Sequence, residues 1–211
     1  MVEKGGRKPQ NVAHIHTARF MPDGHILATD FSADQLLLYK REGDKVIPQG
    51  VAGRLLAGSA PRHIEHSAGW RYVYVMSELA GTVTVFSNKA GKLTRIQTIA
   101  SDSVGGRGGA DIHMSPDGRY IYASNRLKAD GISIFKVNTM NGKLKKAGYQ
   151  LTGIHPRNFA ITPNGKYLLC ACRDSNTIQI YERNQDTGML TLQPTTIDLK
   201  KPVCIKLLEA E

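Results

Sequence analysis

Ala110-Asp-Ile-His-Met-Ser-Pro-Asp-Gly118 opens a block that runs on through Tyr120-Ile-Tyr-Ala-Ser124, Ile132-Ser-Ile-Phe135 and Gly142-Lys-Leu144. Asp-Gly supplies the positive φ angles of a tight hairpin, and the flanking runs are aromatic, β-branched and too short for helices. The block therefore reads as short antiparallel strands, and it recurs. Pro163-Asn-Gly165 lies 47 residues after Pro116-Asp-Gly118, and Pro22-Asp-Gly24 lies 94 before it, with a worn copy at Ala68-Gly-Trp70 midway. Each turn leads into a strand-like run, His25–Asp30, Tyr72–Met76, Tyr120–Ser124 or Tyr167–Cys172, and then into a second run that ends on Tyr39, Phe86, Phe135 or Tyr181. Gly91-Lys-Leu93, Gly142-Lys-Leu144 and Gly188-Met-Leu190 open a further strand.

Four short strands per repeat, with no helical period between them, is the pattern of a β-propeller blade. The sequence predicts an all-β, single-domain β-propeller over 1–211, with four-stranded antiparallel blades near 10–52, 56–101, 105–150 and 152–197. A closing strand is expected at 202–208, because Lys201-Pro-Val203 repeats the opening His155-Pro-Arg157. In each blade the innermost strand precedes the Pro-Asp-Gly turn and lines the channel, and the ring-ended strands pack between blades.

Composition narrows the function classes. With 211 residues, 41% hydrophobic and 22% charged, the chain excludes disordered and collagen-like architectures. It has no run near the roughly 18 apolar residues of a membrane span and no apolar leader, so a cytoplasmic protein without a membrane partner is expected. Lys and Arg number 28 against 18 Asp and Glu, a net charge of +10 that suits an anionic partner. Those cations are spread along the chain without a nucleic-acid-binding signature, which favours a small anion over nucleic acid. Cys170, Cys172 and Cys204 have no metal or disulfide spacing and read as core filler.

The repeat also sets side chains in register. Six residues before the four turn positions stand His16, Arg62, Ala110 and Arg157, and the end of the following strand holds Phe31, Glu78, Arg126 and Arg173. His16, Arg62, Glu78, Arg126 and Arg157 are thereby expected around one rim of the channel, where several cations with one carboxylate suit a small anionic substrate.

Ala13-His-Ile-His16, Phe20-Met-Pro-Asp-Gly24, Ala60-Pro-Arg-His63, Ser77-Glu78, Ala110-Asp-Ile-His-Met-Ser-Pro-Asp-Gly118, Ser124-Asn-Arg126 and Pro156-Arg-Asn-Phe159 together resemble the seven-bladed lactonase family. That family contains bacterial propeller-type 6-phosphogluconolactonases and fungal carboxymuconate-lactonising enzymes. Seven blades need roughly 330 residues, so the resemblance covers four blades and the closing strand, a fragment or a short variant whose open arc would leave an apolar blade face at each end. It implies metal-independent and cofactor-free hydrolysis of a sugar lactone, most directly 6-phospho-D-glucono-1,5-lactone of the pentose phosphate pathway. It also implies a site built from His16, Arg62, Glu78 and a later arginine, Arg126 or Arg157.

Lactone opening places negative charge on a carbonyl oxygen, and each well-placed donor there is worth about 3 kcal/mol. Glu78 or His16 would take the proton from water, His16 because its ordinary pKa lies near neutrality. Two other functions fit the same rim or fold: a cycloisomerase acting on an unsaturated dicarboxylate, and a propeller that only binds. Structural roles compete residue by residue. Arg62 and Arg157 would then bond to a neighbouring blade, and Glu78 would serve an ion pair. His14 and His16 share a strand face but lack a third metal ligand, and His113 reads as a satisfied core histidine. Gly105-Gly-Arg-Gly-Gly109 lacks the Lys-Ser/Thr ending of a phosphate loop and reads as a flexible connection from which Arg107 would reach a substrate phosphate.

Overall fold

In a computed structural model, which describes residues 3, 5 and 8–208, sixteen strands form four separate four-stranded antiparallel sheets. Sheet one holds β1 (Ile15–Phe20), β2 (His25–Asp30), β3 (Gln35–Glu42) and β4 (Lys45–Arg54). Sheet two holds β5 (Pro61–His66), β6 (Tyr72–Ser77), β7 (Thr82–Lys89) and β8 (Lys92–Ala100). Sheet three holds β9 (Gly109–Met114), β10 (Tyr120–Asn125), β11 (Gly131–Val137) and β12 (Leu144–Leu151), and sheet four holds β13 (Pro156–Ile161), β14 (Tyr167–Cys172), β15 (Thr177–Arg183) and β16 (Leu190–Asp198). The strands of each sheet pair in sequence order, and the innermost strands β1, β5, β9 and β13 lie side by side. This is the blade arrangement the repeat predicts. The worn turn Ala68-Gly-Trp70 folds as a single 3-10 turn with Gly69 at φ +64°.

Apolar side chains meet between sheets. Leu27 and Leu36 of the first sheet pack on Val73 and Phe86 of the second, Tyr74 and Val85 on Ile121 and Phe135, and Tyr122 and Ile134 on Phe159 and Tyr181. Phe86, Phe135 and Tyr181 are fully buried at these seams, as the repeated ring position requires, while Tyr39 of the first blade is half-buried.

Sheets three and four share a polar lock as well. Arg183 donates from Nε to the Tyr122 hydroxyl (2.8 Å) and from Nη1 to the Gly165 carbonyl (3.1 Å), and its Nη2 pairs with Asp117 Oδ2 at 2.9 Å. Val137 occupies the corresponding place one repeat earlier, where the Tyr74 hydroxyl is buried with no partner among the described residues. Arg183→Leu is expected to cost about 2 kcal/mol, less than a fully buried pair because Asp117 is 29% exposed. Urea unfolding measures this, and an unchanged midpoint would show that the lock contributes nothing.

Each inner strand carries a bulge near its start. Pro61 pairs with Ser77 and His63 with Met76, which leaves Arg62 as an extra residue, and Arg157 is extra between Pro156↔Cys172 and Asn158↔Ala171. Irregular pairing also spans His16–Thr17 in β1 and Ala110–Asp111 in β9. A bulge lets two consecutive side chains point toward the same region, which unbroken strand alternation forbids.

Connections between blades follow one design. Ala60, Arg107, His155 and Lys201 stand 46–48 residues apart and all adopt φ near +50° to +60° (53°, 52°, 61° and 48°). Carboxylates or an amide tie these bends down: Asp34 accepts from the Ala60 N–H (2.7 Å), Asp130 from His155 (3.1 Å) and Asn176 from Lys201 (3.1 Å). Asp102 accepts from the N–H groups of Val104, Gly105 and Gly106 at 2.9, 2.6 and 3.0 Å. The glycine-rich segment is thus wrapped around its own carboxylate, and the amides a phosphate would need are already engaged.

One expectation fails in its detail. Residues 202–208 keep the bend and the proline of a strand opening, and the Ile205 N–H donates to Asn158 Oδ1 at 2.6 Å, yet they form no strand. Propeller ladders run within a blade, and adjacent inner strands meet only through side chains. A segment placed beside β13 therefore has no ladder to join. Cys204 is correspondingly exposed and is not core filler, whereas Cys170 and Cys172 are buried with their sulfurs 3.9 Å apart.

Candidate active site

The bulges bring together most of the residues set in register by the repeat. Glu78, at the end of β6, sits between two arginines: its Oε2 lies 2.9 Å from Arg62 Nε and 3.3 Å from Arg126 Nη2. The Arg62 Nε–H is not aimed along that line, so the first contact is an ion pair without a hydrogen bond. Arg62 Nη1 donates to the Ala110 carbonyl (2.6 Å) and contacts His63 Nε2 (3.1 Å).

Arg126 is buried and committed at every nitrogen. Nε and Nη2 donate to the carbonyls of Gly108 and Gly109 at 2.9 and 3.0 Å, and Nη1 lies 3.4 Å from His155 Nε2. Burial lowers the pKa of Arg126, and burial together with the Arg126 charge lowers that of Arg62 to about 10, so both remain cations at neutral pH. Arg157, the extra residue of the β13 bulge, differs from both. It is half-buried and has no ion pair or hydrogen bond among the described residues, while its charge acts on His16, Arg62, Arg126 and His155.

His16 joins the cluster through His63, their rings meeting edge-on at 5.1 Å. Burial, with Arg62, His63 and Arg157 adding to it, holds His16 down to about 3. Its expected advantage as a base with a near-neutral pKa is therefore absent: the ring is neutral at pH 7 and binds a proton weakly. His14 stacks on Phe31 at 4.5 Å, and Arg173 is paired with Asp174 at 2.8 Å. Arg107 is exposed, in a groove shared with Lys8 and Leu79, and makes no contact with Glu78 or its arginines among the described residues.

A second cluster, one residue further along the inner strands, was not anticipated from sequence. Asp111 is almost wholly buried and accepts on Oδ1 from His63 Nδ1 (2.6 Å) and the Ile112 N–H (3.0 Å). Its Oδ2 accepts from His113 Nε2 (3.1 Å), Asn158 Nδ2 (2.5 Å) and the Phe159 N–H (3.1 Å). His113 Nδ1 also lies 3.4 Å from Glu65 Oε2. Burial opposes the charge on each partner. Even so, Asp111 and Glu65 raise His113 to about 9, and the imidazolium with His63 holds the Asp111 carboxyl far below the usual range. His113 is satisfied, as expected, but as a cation. His63, Asp111, His113 and Asn158 line a cleft of about 510 Å³ between the inner strands, with Arg19 and Lys206 on its wall.

At neutral pH the rim holds three guanidinium groups and one carboxylate beside two neutral imidazoles, a surplus of positive charge with one arginine free. That arrangement suits an anion of modest size.

Proteins of known description share this architecture. The chain is 33% identical over 212 residues to a 6-phosphogluconolactonase of Bacillus subtilis (strain 168), covering 97% of this chain and 60% of that protein. It is 37% identical over 194 residues to a 6-phosphogluconolactonase of Formosa agariphila, covering 88% and 55%. A crystal structure from Bacteroides uniformis ATCC 8492 superposes with a TM-score of 0.91 at 51% identity, covering 96% of this chain and 60% of that one. The Pseudomonas aeruginosa periplasmic gluconolactonase PpgL does so with 0.89 at 26% identity, covering 98% and 60%. The chain thus spans 55–60% of the length of these curated relatives. Residues 2–207 match the profile of the lactonase family of seven-bladed β-propellers, and the chain belongs to that family.

Proposed function

We propose that these blades carry the lactone-opening site of a sugar lactonase, with 6-phospho-D-glucono-1,5-lactone as substrate. The observation that carries the reading is Arg157: a guanidinium without a carboxylate partner, beside two others neutralised only in part by Glu78. Support comes from relatives named 6-phosphogluconolactonase at 33% and 37% identity. Phosphorylated sugars do not cross bilayers unaided, so this reading places the reaction in the cytosol; no helix among the described residues is long and apolar enough to span a membrane.

The roles follow from which atoms are free. Arg126, spent on carbonyls and Glu78, holds the mouth together. Arg157 and the uncommitted Nη2 of Arg62 receive the substrate anion or the oxyanion that grows as water adds to the carbonyl carbon. Glu78 Oε1 makes no hydrogen bond among the described residues and accepts the proton from that water, a task His16 performs poorly with so low a pKa. Breaking the bond from acyl carbon to ring oxygen then leaves a carboxylate, and the ring oxygen takes the proton to become a hydroxyl.

Arg157→Ala is expected to lower kcat/KM for the phospholactone about 100-fold, the loss of one well-placed charged donor. Acid release above the spontaneous rate, followed by pH-stat, measures it. A wild-type chain that fails to exceed the spontaneous rate would refute the reading for these blades.

A further inference from the structure

Arg62 is the one arginine of the rim whose orientation depends on another side chain in the cleft below. Its Nη1 is engaged twice, by the Ala110 carbonyl at 2.6 Å and by His63 Nε2 at 3.1 Å, while Nη2 makes no hydrogen bond among the described residues. A guanidinium is planar, so fixing Nη1 and placing Nε beside Glu78 decides where Nη2 points. Nε2 of His63 serves as acceptor for Arg62 only in the tautomer that carries its proton on Nδ1. Asp111 selects that tautomer, because a carboxylate accepts and does not donate, and it lies 2.6 Å from Nδ1. Asp111 is itself fixed by two backbone N–H groups and by Asn158 and His113.

We propose that His63 is a positioning residue of the lactonase site: held by Asp111, it orients Arg62 so that Nη2 faces the substrate. The proposal rests on the function given above and adds a residue that does not itself touch the reacting atoms. It also gives the site an acid limit. Protonating His63 turns Nε2 from acceptor to donor and sets it against a guanidinium. The charged and titratable groups around it are Arg62 beside it, Asp111 and His113 from β9, and His16 from β1. Burial is the largest influence on His63 and lowers its pKa below the ordinary 6.5, so the orienting form prevails at neutral pH and is lost on acidification.

Two variants and two readouts test it. His63→Ala removes both contacts, while His63→Gln keeps an acceptor able to reach Arg62 and cannot titrate. With 6-phosphogluconolactone, His63→Ala is expected to lose about 10- to 100-fold in kcat, with less change in KM and a lowered melting midpoint, because Asp111 loses a donor. His63→Gln is expected to recover most of that loss and to show an acid limb displaced from that of wild type, because protonation of Glu78 alone then limits the rate. Wild-type kcat in His63→Ala, or an acid limb in His63→Gln identical to that of wild type, would overturn the proposal. Nitrogen-15 NMR of the Arg62 guanidinium needs no turnover and so separates this proposal from the function itself. Slow rotation about Cζ–Nη1 is expected in wild type and His63→Gln and faster rotation in His63→Ala, where only the Ala110 carbonyl still holds Nη1. Equal rotation in all three would refute the positioning role even if the lactone is hydrolysed, and the expected pattern would uphold it if the lactone is not.

Discussion

Asp111→Ala is expected to destabilise the chain by about 3–5 kcal/mol, the cost of removing one partner from a buried ionic cluster. Five donors converge on this carboxylate from three inner strands: His63 on β5, Ile112 N–H and His113 on β9, and Asn158 and Phe159 N–H on β13. Without it the half-buried His113 imidazolium loses its nearer counter-charge and two backbone N–H groups lose their acceptor. Leaving such groups unpaired costs more than the pairs contribute when intact. Urea unfolding followed by tryptophan fluorescence is informative because Trp70 is buried in the turn between β5 and β6, outside the altered strand. A loss below about 1 kcal/mol would mean that water replaces the carboxylate easily, and the cleft would then have to be far wetter than its close contacts indicate.

The second large effect is a loss of stability at alkaline pH. His113 has a folded pKa of about 9 against an ordinary 6.5, so its contribution is complete below pH 6.5, declines as the pH rises and is gone above pH 9. Asp111 and Glu65 have lowered pKa values and act in the opposite direction, contributing above the ordinary carboxylate range and losing their contribution on acidification. Stability from this cluster should therefore peak between about pH 4.5 and 6.5. The raised pKa corresponds to about 3 kcal/mol at most, which we reduce to about 2 because 27% of the His113 side chain is exposed and the gain is shared with its partners. Unfolding free energies of wild type and His113→Gln, compared at pH 6 and pH 9.5, isolate the effect. Wild type should lose the difference while the variant stays nearly flat, and parallel losses in both would assign the alkaline instability elsewhere.

These two predictions concern a cluster that sequence periodicity hides, for a physical reason. Strand alternation sends the residue after Arg62 to the opposite face, and a repeat alignment built on alternation keeps only one slot per inner strand. The bulges break that rule by inserting one residue where the strands begin, so His63, Asp111 and Asn158 turn into the channel beside the rim. A signal was present. The two successive slots read His16-Thr17, Arg62-His63, Ala110-Asp111 and Arg157-Asn158, too polar for a position packed between sheets.

By contrast, the blades, their ring-filled seams and the Glu78 cluster were legible because Pro-Asp-Gly turns fix register without help from distant contacts. The glycine-rich neighbours of Arg107 suggest a phosphate loop, but Arg107 forms a φ +52° bend like those at Ala60 and His155, one place earlier in the repeat, and the loop amides close on Asp102. The choice between Arg126 and Arg157 depended on which guanidinium finds carbonyl partners, and sequence does not encode that directly.

Side-chain links between neighbouring inner strands have a common span. Glu65 reaches the Met114 N–H, Arg62 the Ala110 carbonyl, Asp111 the Phe159 N–H and Asn158 the Ile205 N–H, each 47 to 49 residues away. Among the described residues each of these stitches is one repeat long and none skips a blade, so each seam depends on only two adjacent modules. Duplication or loss of a whole blade preserves that bonding rule, whereas inserting a few residues within a blade breaks the stitches on both of its sides. A lineage built in this way can change its number of blades more easily than the length of any one of them.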